Sequence, residues 1–130
     1  MTRKIGTALV VGAGSGIGQA SAQGLAAFGA EVLCADLRPE SAEATVRAIE
    51  TGGGCAISVA FDLRQSGAAV TLLERTDDID VLVCTPSINV RKPILKMSDE
   101  DFDRIIDLNL RGTFMLLREV GGHMAARGQG

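Results

Sequence analysis

Apolar residues along this chain fall into two alternating patterns. Four short continuous runs, "TALVVG" (7–12), "EVLCAD" (31–36), "CAISVAFD" (55–62) and "IDVLVC" (79–84), predict strands buried on both faces, as in a parallel sheet. Between them lie segments with helical character. Residues 17–28, "IGQASAQGLAAF", predict a helix with Ile17, Leu25 and Phe28 as its apolar stripe and Gly29 as its stop. "PESAEATVRAIETGGG" predicts a second helix from about Pro39, with proline in the first turn and three glycines ending it. Residues 66–75 predict a short third helix. After the loop "TPSINVRKPILKM", Ser98 is placed as an N-cap, with Asp99, Glu100 and Asp101 in the first turn of a helix running from about 99 to 119, with room to continue to 126. "TFMLL" (113–117) is apolar all round and predicts burial on more than one side. Gly121 and Gly122 should weaken the end of that helix by about 1 kcal/mol each relative to alanine.

Strand and helix thus alternate four times. Each crossover is long enough to join parallel neighbours and too long for a hairpin. The expected fold is α/β: a Rossmann-like doubly wound parallel sheet of about four strands in the order 3-2-1-4, with right-handed crossovers. The 130 residues are expected to form one domain, with no repeat beyond the βα unit and no dividing linker.

Composition agrees with a packed core, at 46% hydrophobic residues and a mean hydropathy of +0.23. Net charge is −3 with no basic run, which excludes a nucleic-acid footprint, and no apolar stretch reaches the roughly 20 residues of a membrane span. The opening "MTRKIGTALVVGAG" has a short apolar part that runs into glycines without a processing site, so it is not read as a signal peptide. Cys34, Cys55 and Cys84 are odd in number, match no zinc spacing and all fall in predicted strands. They are expected to be buried reduced thiols of a cytoplasmic protein, and no metal site is expected.

The first strand runs into "VVGAGSGIGQ" (10–19), which has four glycines in seven positions. Glycine there lets the main chain approach a ligand closely and turn with φ > 0. The helix start beyond it offers unpaired N–H groups and a positive dipole end, suited to a pyrophosphate. The second strand ends in Asp36, eighteen residues beyond Gly18. A carboxylate there can accept hydrogen bonds from both adenosine ribose hydroxyls and would repel a 2′-phosphate. NAD is therefore expected over NADP, with Arg38, just past the strand, as the residue that could favour a phosphate.

The glycine spacing is G-x-x-x-G-x-G (Gly12, Gly16, Gly18) rather than G-x-G-x-x-G, since Ile17 stands where the third glycine would be. In this the loop resembles the "TGxxxGxG" of the short-chain dehydrogenase/reductases, with Val11 in place of the usual threonine. The resemblance covers residues 5–118 and implies coenzyme contacts from Gly12, Ser15, Gly16, Ile17, Gly18, Asp36 and Leu37. Ser15 takes a place where NADP-preferring relatives often carry a basic residue. "FDL" (61–63) resembles the family's acidic-plus-apolar adenine contact, implying that role for Asp62 and Leu63. "DLNLRGTF" (107–114) resembles its "N-x-x-G" helix segment, implying that Asn109 is the catalytic-site asparagine. After the fourth strand the family has "NNAG", and here "CTPS" (84–87) stands instead, so contacts by Thr85 and Pro86 are carried over with altered residues.

The family's chemistry depends on a Tyr-x-x-x-Lys pair and a serine beside the coenzyme. This chain contains no tyrosine, and Lys4, Lys92 and Lys96 do not stand in that setting. What remains resembles the coenzyme-binding half of a dehydrogenase, expected to be inactive alone. The parent would interconvert a secondary alcohol and a ketone, with sugars and 3-oxoacyl groups as candidate substrates. The rival reading is a non-catalytic nucleotide-binding or interaction protein. An S-adenosylmethionine-dependent methyltransferase is a weaker third. His123, far along the last helix, is expected away from the coenzyme. The fourth strand has an open edge in these residues, and the helix from 99 packs against a partner subunit in relatives, so a homo-oligomer is expected.

Overall fold

The computed structural model describes residues 5–76 and 78–130; Lys4 and the first residues of the signal-like opening lie outside the described residues. The elements are β1 (Thr7–Val11), α1 (Gly16–Ala27), β2 (Glu31–Asp36), α2 (Pro39–Thr51), β3 (Cys55–Ala60), α3 (Ala68–Leu73), β4 (Ile79–Cys84), a 3-10 turn (Ile94–Lys96), α4 (Asp99–Ile106), a π-helical segment (Asp107–Gly112) and α5 (Thr113–Arg127). The four strands form one parallel sheet in the order β3-β2-β1-β4. In it Val11 lies beside Ala35 of β2 and Cys84 of β4. The register against β4 slips between Thr7 and Ala8, at Asp80.

Strand alternation divides the core into two layers. Ala8, Val10, Val32 and Cys34 face α1 and α2, where they meet Ala22, Ala26, Ala42 and Ile49. Leu9, Val11, Leu33 and Ala35 face the other way, onto Leu72 of α3 and Leu116 and Val120 of α5. β1, flanked by β2 and β4, is buried on both faces, which is why its run of apolar residues is unbroken.

Three expectations are corrected. The stripe of α1 is as expected only at Leu25, which packs against the core: Ile17 is 77% and Phe28 81% exposed, and the buried positions are Gly18, Ala22 and Ala26. The helix lies so close to the sheet that a Cβ on Gly18 would fall 2.0 Å from the Gly12 carbonyl oxygen, so only small residues fit this face. Cys55 is exposed, not buried. It opens β3, an edge strand, and α3 has only six residues, too few to cover that part of the sheet. The segment 113–117 is buried on one side only, since Leu116 is in the core while Phe114 and Leu117 are half-exposed. The last helix does continue through Gly121 and Gly122, to Arg127, and stops at Gly128 in the left-handed conformation. Gly29 does end α1, with a φ of +89°.

Candidate functional site

The C-terminal ends of β1, β2 and β4 meet the loop Gly12–Ser15. Gly12 turns with φ +84° and a Cβ on it would fall 2.4 Å from Thr85 Oγ1, so the first glycine is required by both its dihedral and its neighbour. Thr85 closes the gap between β1 and β4: its N–H and its hydroxyl both donate to the Val11 carbonyl, at 3.1 and 3.0 Å. On the other flank, the Gly12 and Ala13 N–H groups donate to the Ala35 carbonyl at 2.8 and 3.1 Å. The inner loop is therefore fixed from both neighbouring strands.

The outer part is open. Ser15 is the N-cap of α1, but its side chain makes no capping bond, and the first turn carries no carboxylate. Ser15, Gly16 and Ile17 are exposed, and nothing lies within 4 Å of a Cβ placed on Gly16, whose φ is +54°. An uncapped helix start with free N–H groups and no acidic neighbour suits an anion. The cradle fits the pyrophosphate of a dinucleotide: Thr85 and Pro86 crowd Gly12, the Gly12 carbonyl crowds Gly18, and space lies above Gly16.

Asp36 stands beside this loop and is 9% exposed. One carboxylate oxygen accepts from the Gly14 N–H at 2.9 Å and the other from the Arg38 N–H at 3.0 Å. Each oxygen keeps a further lone pair for a ribose hydroxyl. Gly14, which the sequence reading passed over, belongs to the site: a Cβ there would lie 2.8 Å from Asp36 Oδ2 and 2.4 Å from Ser41 Cβ. Leu37, next to it, is exposed. Arg38 forms no ion pair among the described residues.

Asp62, at the end of β3, is engaged by Arg64. The guanidinium donates from Nε and Nη2 to its two oxygens, each at 3.1 Å, and the Arg64 N–H donates at 3.0 Å. These bonds hold the carboxyl below the ordinary aspartate range. Leu63 turns its side chain into the core, where it packs under Gly112. Of the adenine pair, then, Asp62 is at the surface and the Leu63 side chain is not.

Asn109 lies in the π-helical segment, a distortion that recurs at functional positions. Its amide grips the loop after β4 at one residue: Oδ1 accepts from the Ile88 N–H at 2.9 Å and Nδ2 donates to the Ile88 carbonyl at 2.8 Å. A second anchor ties the loop to α4, where Lys92 forms an ion pair with Asp101, the N3 residue of the Ser98 capping box. The Lys92 ammonium, then the Ser98 N–H, hold the Asp101 carboxyl below its ordinary range. Pro86 follows Thr85 on this loop, with its ring beside Gly12. Cys84, half-buried, lies 4.0 Å from the Thr113 hydroxyl, and burial raises its thiol pKa.

His123 is at the other end of the molecule. Its Nε2 lies 3.1 Å from Asp78, just before β4, within a cluster that includes Arg127 and Asp80. A cavity of about 460 Å³ also lies at that end, lined by Thr7, Glu31, Cys55 and Arg75 at the starts of β1, β2 and β3. It has no link to the glycine loop. No group of three metal-ligating side chains occurs among the described residues, and no helix there is long and apolar enough to cross a membrane.

A parallel sheet in this order, with a glycine-rich first turn and a carboxylate at the tip of β2, defines the class; comparison with known proteins defines the family. The short chain dehydrogenase family model matches residues 6–130, and the chain belongs to that family. It is 40% identical over 127 residues to the short-chain reductase protein NovJ of Streptomyces niveus, covering 95% of this chain and 48% of that protein. It is 34% identical to sorbitol dehydrogenase of Cereibacter sphaeroides, covering 95% and 49%. Among solved structures, a 3-oxoacyl (acyl-carrier-protein) reductase of Agrobacterium tumefaciens C58 with NADP bound superposes with a TM-score of 0.87 at 34% identity, covering 95% of this chain and 49% of that one. The chain spans about half the length of the curated relatives it matches.

Proposed function

We propose that these 130 residues are the coenzyme-binding part of an NAD-preferring oxidoreductase that interconverts a secondary alcohol and a ketone. The observation that carries this is the pairing of an uncapped, glycine-lined helix start with the Asp36 carboxylate, joined through the Gly14 N–H. The loop N–H groups from Ser15 to Gly18 would hold the pyrophosphate, Asp36 and Leu37 the adenosine ribose, and Asp62 with the Leu63 backbone the adenine. Thr85 and Pro86 would border the nicotinamide ribose. The coenzyme, when bound, supplies or accepts the hydride. Asn109 would keep the loop after β4 in place and contribute to the catalytic end of the site. With no tyrosine in these residues, the acid–base step is expected from elsewhere in the enzyme, and this stretch alone should not turn over substrate. The relatives' names, a sorbitol dehydrogenase and a 3-oxoacyl reductase, support sugars and 3-oxoacyl groups as substrate classes. Free thiols among the described residues are in keeping with a cytoplasmic enzyme.

Two observations favour NADP as a second reading. Arg38, next to Asp36, forms no ion pair among the described residues, and the superposed reductase carries NADP. Calorimetric titration with NADH and NADPH separates the two. We expect NADH to bind at least tenfold tighter, and Asp36→Ala to reduce that ratio. Tighter binding of NADPH would overturn the preference, and binding of neither would overturn the coenzyme reading in favour of a non-catalytic interaction protein.

A further inference from the structure

The glycine loop is held from behind by a residue that the coenzyme would not touch. Thr45 is fully buried on the sheet-facing side of α2, between Ala42 and Ile49. A threonine in a helix commonly turns its hydroxyl onto the carbonyl four residues back. Thr51, at the end of α2, does so, donating to the Arg47 carbonyl at 2.7 Å, and Thr76, just past α3, makes the same bond to the Leu72 carbonyl at 3.0 Å. Thr45 does not follow them. Its own i−4 carbonyl, on Ser41, is 3.4 Å away, whereas the Ala13 carbonyl, 32 residues distant in sequence, is at 2.8 Å. A hydroxyl has one proton to give, and the shorter distance assigns it to the loop.

The peptide unit that receives this bond is the one whose N–H, on Gly14, donates to Asp36 Oδ2. Its carbonyl and its N–H are thus both fixed by side chains of the second βα unit. This peptide comes immediately before Ser15, where the main chain opens toward solvent and α1 begins. Rotating it would redirect the N–H groups from Ser15 to Gly18 together. Gly14 also lies against Ser41, on the same side of α2, so the loop can shift little in that direction.

We propose that Thr45 is a positioning residue for the pyrophosphate part of the coenzyme, acting through the 13–14 peptide rather than by contact; the proposal rests on the coenzyme reading above. Thr45→Val keeps the shape of the side chain and removes the bond, while Thr45→Ser keeps the hydroxyl and removes the methyl. Both are to be made in the full natural chain. They are titrated with NADH, NADPH, ADP and adenosine, with thermal melts in parallel. Thr45→Val is expected to weaken the dinucleotides and ADP about five- to tenfold, the worth of one buried hydrogen bond, while changing adenosine less than twofold. Thr45→Ser is expected to stay within about twofold of the parent for all four. The proposal is overturned if folded Thr45→Val binds ADP as the parent does, or if it loses ADP and adenosine equally. It is also overturned if Thr45→Ser, which retains the hydroxyl, weakens ADP about fivefold or more relative to the parent; this arm holds even where Thr45→Val fails to fold. A folded parent that binds neither dinucleotide overturns the coenzyme reading itself, an outcome distinct from the other three.

Discussion

Two glycines in one helix have opposite requirements. Gly18 has no room for a Cβ, which would sit 2.0 Å from backbone oxygen and 2.8 Å from Thr85 Oγ1. Gly24, two turns on in α1, has nothing within 4 Å. Gly18→Ala must therefore move the helix off the loop, and we expect a loss of about 2 kcal/mol or more with loss of coenzyme binding, because the obstacle is main chain that cannot rotate away. Gly24→Ala should stabilise by roughly 0.5–1 kcal/mol by restricting the unfolded chain at no steric cost. Chemical denaturation of the two variants tests both signs at once. The cysteines differ in the same local way. Cys34 is fully buried, and desolvation raises its thiol pKa from 9.0 to about 11, while Cys55 is exposed. A thiol reagent at pH 8 should label Cys55 within minutes and Cys34 only on unfolding, as peptide mapping would show. Because the folded pKa of Cys34 is raised, its contribution to stability is complete below about pH 9 and is lost as pH rises toward 11. Sequence gave no means of separating these thiols. Both occupy strands, and only the shortness of α3 leaves one of them uncovered.

Legibility at the scale of elements depends on whether an element's identity lies in its own residues. The four strands were readable because each is a continuous apolar run, and crossovers of helical length make them parallel; their order is that of the Rossmann-like fold as a whole. The buried face of α1 was misread because a face made of Gly18, Ala22 and Ala26 carries little hydropathy, and close approach to the sheet, which no periodicity records, selects it. The π-helical segment was also invisible: "DLNLRG" reads as ordinary helix, and its altered register appears only where Asn109 meets Ile88. The site divides in the same way. Gly12, Gly16, Gly18 and Asp36 announced themselves, while Thr45 looked like one more polar residue of α2, although its i, i+3, i+7 alignment with Ala42 and Ile49 was the available signal. The start of α4, by contrast, was fully legible, since Ser98 and Asp101 form the reciprocal capping box their spacing suggests. Ser98→Ala should cost about 1 kcal/mol. Asp101, whose pKa is depressed below 3.8 by Lys92 and the Ser98 N–H, contributes stability that is present above about pH 4 and is lost as pH falls through the folded value. Lys92→Met should flatten that acid limb in pH-dependent melting. An unchanged acid limb would mean the ion pair does not fasten the loop after β4.

The whole molecule presents two surfaces whose chemistry is unusual for water. β4 pairs with β1 on one side, and among the described residues no strand lies on its other side. Along α4, the π-helical segment and α5, Phe102, Leu110, Phe114 and Leu117 are each more than half exposed. Apolar residues at such spacing form a continuous stripe, and stripes of this kind mark interfaces. A partner of the same kind is the simplest occupant, because one two-fold axis through the stripe would bury it on both copies. We therefore predict that the 130-residue chain does not remain a 13.5 kDa monomer in solution. Light scattering at increasing concentration should show self-association. The two surfaces can be distinguished by substitution. Phe102→Glu with Leu117→Glu places charge on the helical stripe and leaves β4 untouched, since the strand's own side chains, Val83 among them, pack on the core. If the stripe is the interface, the pair yields a folded monomer that still binds coenzyme, since neither residue touches the glycine loop or Asp36. Association that survives this pair would assign the contact to the β4 edge instead, and a parent chain that is monomeric at every concentration would remove the need for either surface.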